Sequence, residues 1–308
     1  MKLQKWGPWL VFFAAMLWAT DAPFRAYLIK ELSSSFVVLA EHIINVLFIL
    51  PILCWKRDEL KKLGKKEWFA VSVIAIGSSA LASIAYTEAF SYVNPSVAII
   101  LQKLQPLIAI SLAANLLKEK LHARFWVWAL FAIVGSYAII FPSLSPELFE
   151  GKTFNRNLIG VILALTAAVL WGAGTVLGKF VLSKVSFQTM TALRLLLAFL
   201  FLLGMNVFKN SFPTAGMVSA KTCLYIVVTA VTSGVVSLFI YYSGLAHTKA
   251  SIASVAELGY PVAGILVNYV TLDTELHITQ LSGACILLVA IFHITKINRQ
   301  VTESRYES

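Results

Sequence analysis

Apolar residues in this chain gather into ten runs, over 8–28, 34–54, 68–90, 95–117, 122–141, 157–181, 185–208, 222–245, 250–271 and 277–296. A helix rising about 1.5 Å per residue needs about 20 residues to cross a hydrocarbon core of about 30 Å, and each run meets that need. The runs are continuously apolar and lack the period-two alternation of a closed β-barrel. The pattern predicts ten transmembrane helices. Trp6, Trp9, Trp55, Trp68, Trp126 and Trp128 lie near the predicted helix ends, where an aromatic belt forms. The first run follows Lys2 and Lys5 and so imitates a signal peptide. It continues to about Leu28 without a small-residue cleavage site and carries Asp21 and Arg25, so it reads as a retained first helix.

Composition agrees with the pattern. Of 308 residues, 59% are hydrophobic and 13% charged, where a soluble domain carries about 25% charged residues. The mean hydropathy is +0.80. A net charge of +10 would suggest nucleic acid as the partner of a soluble protein. Here it reads as basic loops on the cytoplasmic side, with no nucleic-acid partner. The 56–67 loop holds Lys56, Arg57, Lys61, Lys62, Lys65 and Lys66, and further basic residues flank 118–124 and the C-terminal tail. With both termini cytoplasmic, roughly 16 Lys/Arg lie inside and about five outside. That bias favours an even number of spans, and the expected location is a bacterial inner membrane.

Several chemistries find no residues. There is no G-x-x-x-x-G-K-S/T loop for ATP. Cys54, Cys223 and Cys285 are far apart and read as buried small hydrophobes, and the histidines form no metal-binding cluster. No metal and no cofactor is expected.

The chain also repeats itself. Leu17-Trp18-Ala19-Thr20 in the first run matches Leu170-Trp171-Gly172-Ala173 in the sixth. Tyr86 to Pro106 runs parallel to Tyr241 to Pro261 at a constant offset, Ser96-Val97-Ala98 matching Ser251-Ile252-Ala253. Lys118-Glu119-Lys120-Leu121 is similar to Asp273-Thr274-Glu275-Leu276. Each half holds five spans, and an odd number makes the second copy insert upside down. Inverted repeats are a transporter architecture, with the solute near mid-membrane between the halves. The expected organisation is a first repeat over 1–141, a linker over 142–156 with Pro142, Pro146 and Gly151, a second repeat over 157–296 and a cytoplasmic tail over 297–308.

On these residues the chain resembles the drug/metabolite transporter superfamily, in its EamA-type branch of ten-helix carriers. The two Leu-Trp motifs carry the likeness, with Arg194, the Pro106/Pro261 pair, and Glu119 and Glu275 closing the fourth and ninth helices. The resemblance implies a secondary carrier or facilitator and leaves the substrate open. Two positions depart from the family pattern: Glu41-His42 replaces an arginine of the second helix, and Gln102-Lys103-Leu104-Gln105 makes the fourth unusually polar.

Ionisable side chains inside a bilayer mark candidate function, because one at a helix centre costs about 2.5–3.5 kcal/mol on insertion scales. Lys103 falls near the midplane, with Gln102 beside it and Pro106 after it. It is the candidate anchor for a carboxylate or phosphate, or a structural ion-pair member. Glu41 and His42 lie about 10 Å deep in the second helix. They can take an ammonium or a proton, or simply pack. Asp21 and Arg25, four apart, can pair along one face. Glu257 is the repeat counterpart of Gln102 and a candidate neighbour of Lys103, with Arg194 as its alternative partner. Arg25 and Arg194 are read as structural or gating charges. Tyr86 and Tyr260 can line the path. Tyr241 and Tyr242 read as belt residues. Trp18 and Trp171 either wall the cavity or pack, and Gly172, Gly174 and Gly178 suit close helix packing.

The expectation is an all-α polytopic carrier, two inverted five-helix repeats around a central cavity. It would move a small polar or zwitterionic metabolite, an amino acid in the first instance, by alternating access, with coupling to protons open. A nucleotide, a phosphorylated metabolite or S-adenosylmethionine is the alternative solute. A membrane-embedded enzyme or a channel is the alternative class. The oligomeric state stays open.

Overall fold

A computed structural model describes residues 2–89, 91–93, 98, 101–141, 143–144, 154–213, 218–264 and 277–303. The linker prolines Pro142 and Pro146, Gly151, the Ser96-Val97 match and the Asp273–Leu276 motif with Glu275 lie outside the described residues. The fold is all-α. The elements are α1 (Lys2–Ala19), α2 (Ala22–Glu31), α3 (Ser34–Trp55), α4 (Lys65–Ala89), α5 (Gln105–Leu116), α6 (Ala123–Ile140), α7 (Phe154–Val181), α8 (Phe187–Lys209), α9 (Ala220–Ala246), α10 (Ala250–Ala256) and α11 (Ile278–Glu303). Among the described residues, six helices are long and apolar enough to cross a bilayer unaided: α3, α4, α9, α8, and most of α7 and α11.

Among the described residues, three of the predicted spans are not the continuous helices that the apolar runs suggest. The first breaks at Thr20–Asp21, between α1 and α2. Pro23 in the first turn of α2 has no N–H to continue the ladder. The Thr20 hydroxyl turns back onto the Leu17 carbonyl at 2.7 Å. The fourth run breaks at Lys103–Leu104, one turn ahead of Pro106, and the ninth at Glu257–Leu258, ahead of Pro261. Hydropathy does not register such breaks because the flanking residues stay apolar. Non-helical backbone at membrane depth is tolerated where it lines a cavity, and at these breaks Asp21, Lys103, Glu257 and Leu258 do so.

The two copies exchange partners. The first helix of each repeat packs on the third of the other, α1 along α9 and α7 along α4. The second helices α3 and α8 pair, as do the fourth-span segments α5 and α10 and the fifth helices α6 and α11. At the α6–α11 crossing a Cβ on Gly135 would meet the Gly283 backbone oxygen at 2.7 Å, and the reverse approach is also 2.7 Å, so only glycine fits. Both third helices carry a π-helical stretch at the same repeat position, Ile74–Leu81 and Ala230–Val236. Such bulges recur at functional sites.

The outer surface suits lipid. Trp6, Trp55, Trp68 and Trp126 are exposed. Trp9 and Trp128 differ from the belt expectation: both pack against the core, Trp128 stacked on His293 at 3.9 Å. The three cysteines are exposed and not buried. The correction has a simple cause, since lipid accepts an apolar thiol as readily as a core does.

Carboxylates of the first repeat hold helix N-termini of the second. Glu119 accepts from the Ala250 and Ser251 backbone N–H groups at the start of α10. Glu59, in the short helix Arg57–Leu60 after α3, accepts from the Ser186 N–H at 2.7 Å and the Thr189 hydroxyl at 2.8 Å, at the start of α8. Partial burial pushes the Glu59 carboxyl up, but these hydrogen bonds and Lys56 outweigh it and hold it at about 2, against an ordinary 4.5. A depressed folded value stabilises fully above 4.5 and is lost as pH falls toward 2. Glu59→Gln is therefore expected to melt below wild type at neutral pH. The gap should close through that acid window in detergent melts; two parallel profiles would refute the role.

Candidate functional site

The breaks and the third helices surround one cavity of about 440 Å³. Its lining reaches Ile29 and Thr87, near the ends of α2 and α4, on the face opposite the termini. Toward the terminal face it stops at Ser254, one turn inside α10. There Lys179 donates to the Leu245 and Ala246 carbonyls at 2.9 Å, a structural role at the end of α9.

Every candidate site residue from the sequence lines this cavity: Trp18, Asp21, Arg25, Glu41, His42, Tyr86, Gln102, Lys103, Trp171, Arg194, Glu257 and Tyr260. The pairings among them differ from expectation. Arg25 does pair with Asp21 at 3.2 Å, and it also bonds Glu41 at 2.8 and 3.1 Å, tying α2 to α3. Lys103 makes no ion pair with Glu257. Its ammonium meets the Gln102 amide oxygen at 3.3 Å and sits 4.8 Å from the centre of the Tyr260 ring. Arg194 does not reach Glu257 either; it donates to Ser79 at 2.6 Å and to the Tyr242 hydroxyl at 3.0 Å. Glu257 instead accepts from Gln105 at 2.5 Å, Thr175 at 3.0 Å and Tyr241 at 2.9 Å. Depth along a helix fixes distance along the membrane normal and says little about which way a side chain faces around the bundle.

The tryptophans and tyrosines form crossed pairs related by the repeat. Trp18 of the first repeat lies against Tyr241 of the second, and Trp171 of the second against Tyr86 of the first, each at 5.2 Å between ring centres. The Trp171 indole N–H donates to the Ser78 carbonyl at 2.9 Å, and the Ser78 hydroxyl to the Leu170 carbonyl at 2.6 Å. Gly174 permits that approach: a Cβ there would meet the Ser78 hydroxyl at 2.1 Å. Gly172 and Gly178 likewise sit in close contacts with α5 and α9, as their spacing suggested.

Some wall groups escaped the sequence reading. Tyr241 and Tyr242 are buried, not belt residues. Tyr241 is the repeat counterpart of Tyr86, and that symmetry could have found it. Thr175 and Asn45 carried no signal beyond polarity. His42 bonds the Val38 carbonyl through Nδ1 at 2.8 Å, so a neutral ring is protonated there and leaves Nε2 an acceptor. That Nε2, with Asn45 Oδ1 and Arg25 Nη1, is buried without a hydrogen-bond partner among the described residues.

Among the described residues, the lining balances three carboxylates, Asp21, Glu41 and Glu257, against three basic groups, Arg25, Lys103 and Arg194. Two inverted repeats enclosing a polar, aromatic-walled cavity at their interface define a transporter of the inverted-repeat kind. The model of the EamA-like transporter family matches the chain twice, over residues 5–141 and 158–296, and the protein belongs to that family. It is 31% identical over 298 residues to the riboflavin transporter ImpX of Fusobacterium nucleatum, covering 95% of this chain and 98% of that one. It is 26% identical over 239 residues to an uncharacterized transporter of Synechocystis, covering 77% and 68% of the two chains. A solved crystal structure shares the fold at a TM-score of 0.74 and 16% identity, over 95% of this chain and 97% of that one.

Proposed function

We propose that this chain is a secondary carrier of riboflavin or a closely similar uncharged flavin, working by alternating access. The observation that carries the reading is the pair of crossed Trp–Tyr contacts walling the cavity. Aromatic faces suit a planar heteroaromatic solute. A volume of about 440 Å³ lies in the range of about 300–1,000 Å³ that holds drug-sized ligands. The balanced charges favour a neutral solute over a phosphorylated one. Arg25 Nη1, His42 Nε2 and Asn45 Oδ1, without hydrogen-bond partners among the described residues, offer both donor and acceptor to a heterocycle edge. The likeness to a riboflavin transporter points the same way. An amino acid, the first expectation, is less favoured: Arg25 already binds both carboxylates meant for its ammonium.

We further propose a bacterial inner membrane with both termini on its cytoplasmic side, a reading that the basic loops support. The repeats are assigned to 1–141 and 157–296, joined by 142–156, with 297–308 as tail.

Binding tests the reading. Riboflavin fluorescence should be quenched saturably by the purified carrier, because stacking on indole quenches flavins. Trp171→Ala should weaken binding about tenfold, the scale of about 1.4 kcal/mol that one aromatic contact supplies. Quenching that does not saturate, or that Trp171→Ala leaves unchanged, contradicts it.

A further inference from the structure

We propose that Glu257 is a proton-binding site through which solute transport is coupled to a proton gradient. Its place in the fold is the first ground. Glu257 sits at the break of the ninth span and caps the C-terminal end of α10, against α5, α7 and α9. Its hydrogen-bond partners come from both repeats: Gln105 from the first, Thr175 and Tyr241 from the second. A carboxyl here contacts the surfaces that must move apart when the repeats rock.

The second ground is the chemistry of those partners. Asp21 and Glu41 are both paired with Arg25, whereas among the described residues no basic nitrogen lies within ion-pair distance of Glu257. All three partners are neutral, and all three accommodate either state of the carboxyl. The Tyr241 and Thr175 hydroxyls each carry one hydrogen and free lone pairs, and the Gln105 amide can present its N–H₂ or its oxygen. With the carboxylate bare, they donate to it. With a proton on one carboxyl oxygen, that O–H donates to Tyr241 or Thr175, which are themselves 2.8 Å apart and can pass the bond on.

The charged and titratable groups around the site are otherwise engaged. From the fourth span, Lys103 lies over the Tyr260 ring. From α8, Arg194 is held by Ser79 and Tyr242. From α7, Lys179 is bound to carbonyls at the end of α9. Asp21, Arg25 and Glu41 form their own triad.

The third ground links proton to solute. Tyr241 donates its hydroxyl to Glu257 and packs its ring on Trp18. The proton site and the aromatic wall are different groups joined by one side chain, so both can be occupied at once. That arrangement makes the coupling a symport: a proton enters on Glu257 from water on the face where solute binds and leaves to water on the other face. The inference rests on the flavin reading for its solute, and its test separates the two.

In proteoliposomes, an acidic exterior should drive riboflavin above its equilibrium level in the wild type. Glu257→Gln should lose this accumulation while riboflavin exchange at equal pH persists, no more than about tenfold slower. Tyr241→Phe, which keeps the carboxyl but cuts the link, should also lose most of the accumulation. Independently of any solute, infrared titration of the purified wild type should show a protonated-carboxyl stretch that Glu257→Gln lacks. Undiminished gradient-driven accumulation by Glu257→Gln, or identical infrared titrations of the two proteins, would overturn the proposal. Should Glu257→Gln fail to fold, Glu257→Asp decides in its place: it should keep the titrating band and some accumulation, and a carrier indifferent to the gradient would refute the coupling. A wild type that titrates at Glu257 yet exchanges no riboflavin would instead overturn the choice of solute.

Discussion

Arg25→Ala is expected to cost about 3–5 kcal/mol of stability, enough to leave little folded carrier. Arg25 holds Glu41 at 2.8 Å and Asp21 at 3.2 Å, and all three side chains are largely shielded from solvent. Removing the guanidinium leaves two carboxylates facing each other with no cation. Their mutual repulsion and lost hydrogen bonds make this worse than deleting an exposed partner, where a surface pair is worth about 0–1 kcal/mol. Asp21→Asn should be milder, because Arg25 keeps its two contacts to Glu41. The triple change Asp21→Asn, Arg25→Gln and Glu41→Gln should recover most of the loss, since replacing a whole buried cluster is often nearly neutral. Thermal melts of detergent-purified proteins check the series. An Arg25→Ala protein melting with wild type, or a triple variant no better than Arg25→Ala, would show that the triad does not bear this load.

Much of the architecture was readable from the chain because a bilayer admits few solutions. Ten apolar runs and an odd number per repeat lead to inverted copies without knowledge of any contact. The ionisable residues were readable for a similar reason: a charge at membrane depth has few places to go but the interior, and Asp21, Arg25, Glu41, Lys103, Arg194 and Glu257 all line one cavity. Their partners were not readable. Glu257 is served by Gln105, Thr175 and Tyr241, not by Lys103 or Arg194, because rotation about a helix axis is set by packing that one sequence does not reveal. The breaks at Thr20–Asp21, Lys103–Leu104 and Glu257–Leu258 were legible only as nearby prolines. Tyr241 shows where symmetry outperforms habit. Read alone near a helix end it suggests a belt. Read as the copy of Tyr86 it belongs to the wall, where it meets Trp18.

The crossed pairs also explain why neither repeat builds the cavity alone. Each aromatic wall takes one ring from each copy, and each first helix packs on the other copy's third. On the proposed alternating-access mechanism, rocking one repeat against the other would open and close the walls themselves. Solute on the far side should let the carrier return loaded instead of by the slower return of the empty carrier, the property that separates a carrier from a channel.

Riboflavin counterflow measures that property directly. Proteoliposomes loaded with unlabelled riboflavin, at equal pH on both sides, should take up external labelled riboflavin faster than empty ones and transiently above the equilibrium level. The rate should saturate, and neither an excess of amino acids nor riboflavin 5′-phosphate should compete. Uptake that is linear in concentration and indifferent to internal riboflavin, or that matches protein-free liposomes, would contradict the assignment of this cavity to a flavin carrier.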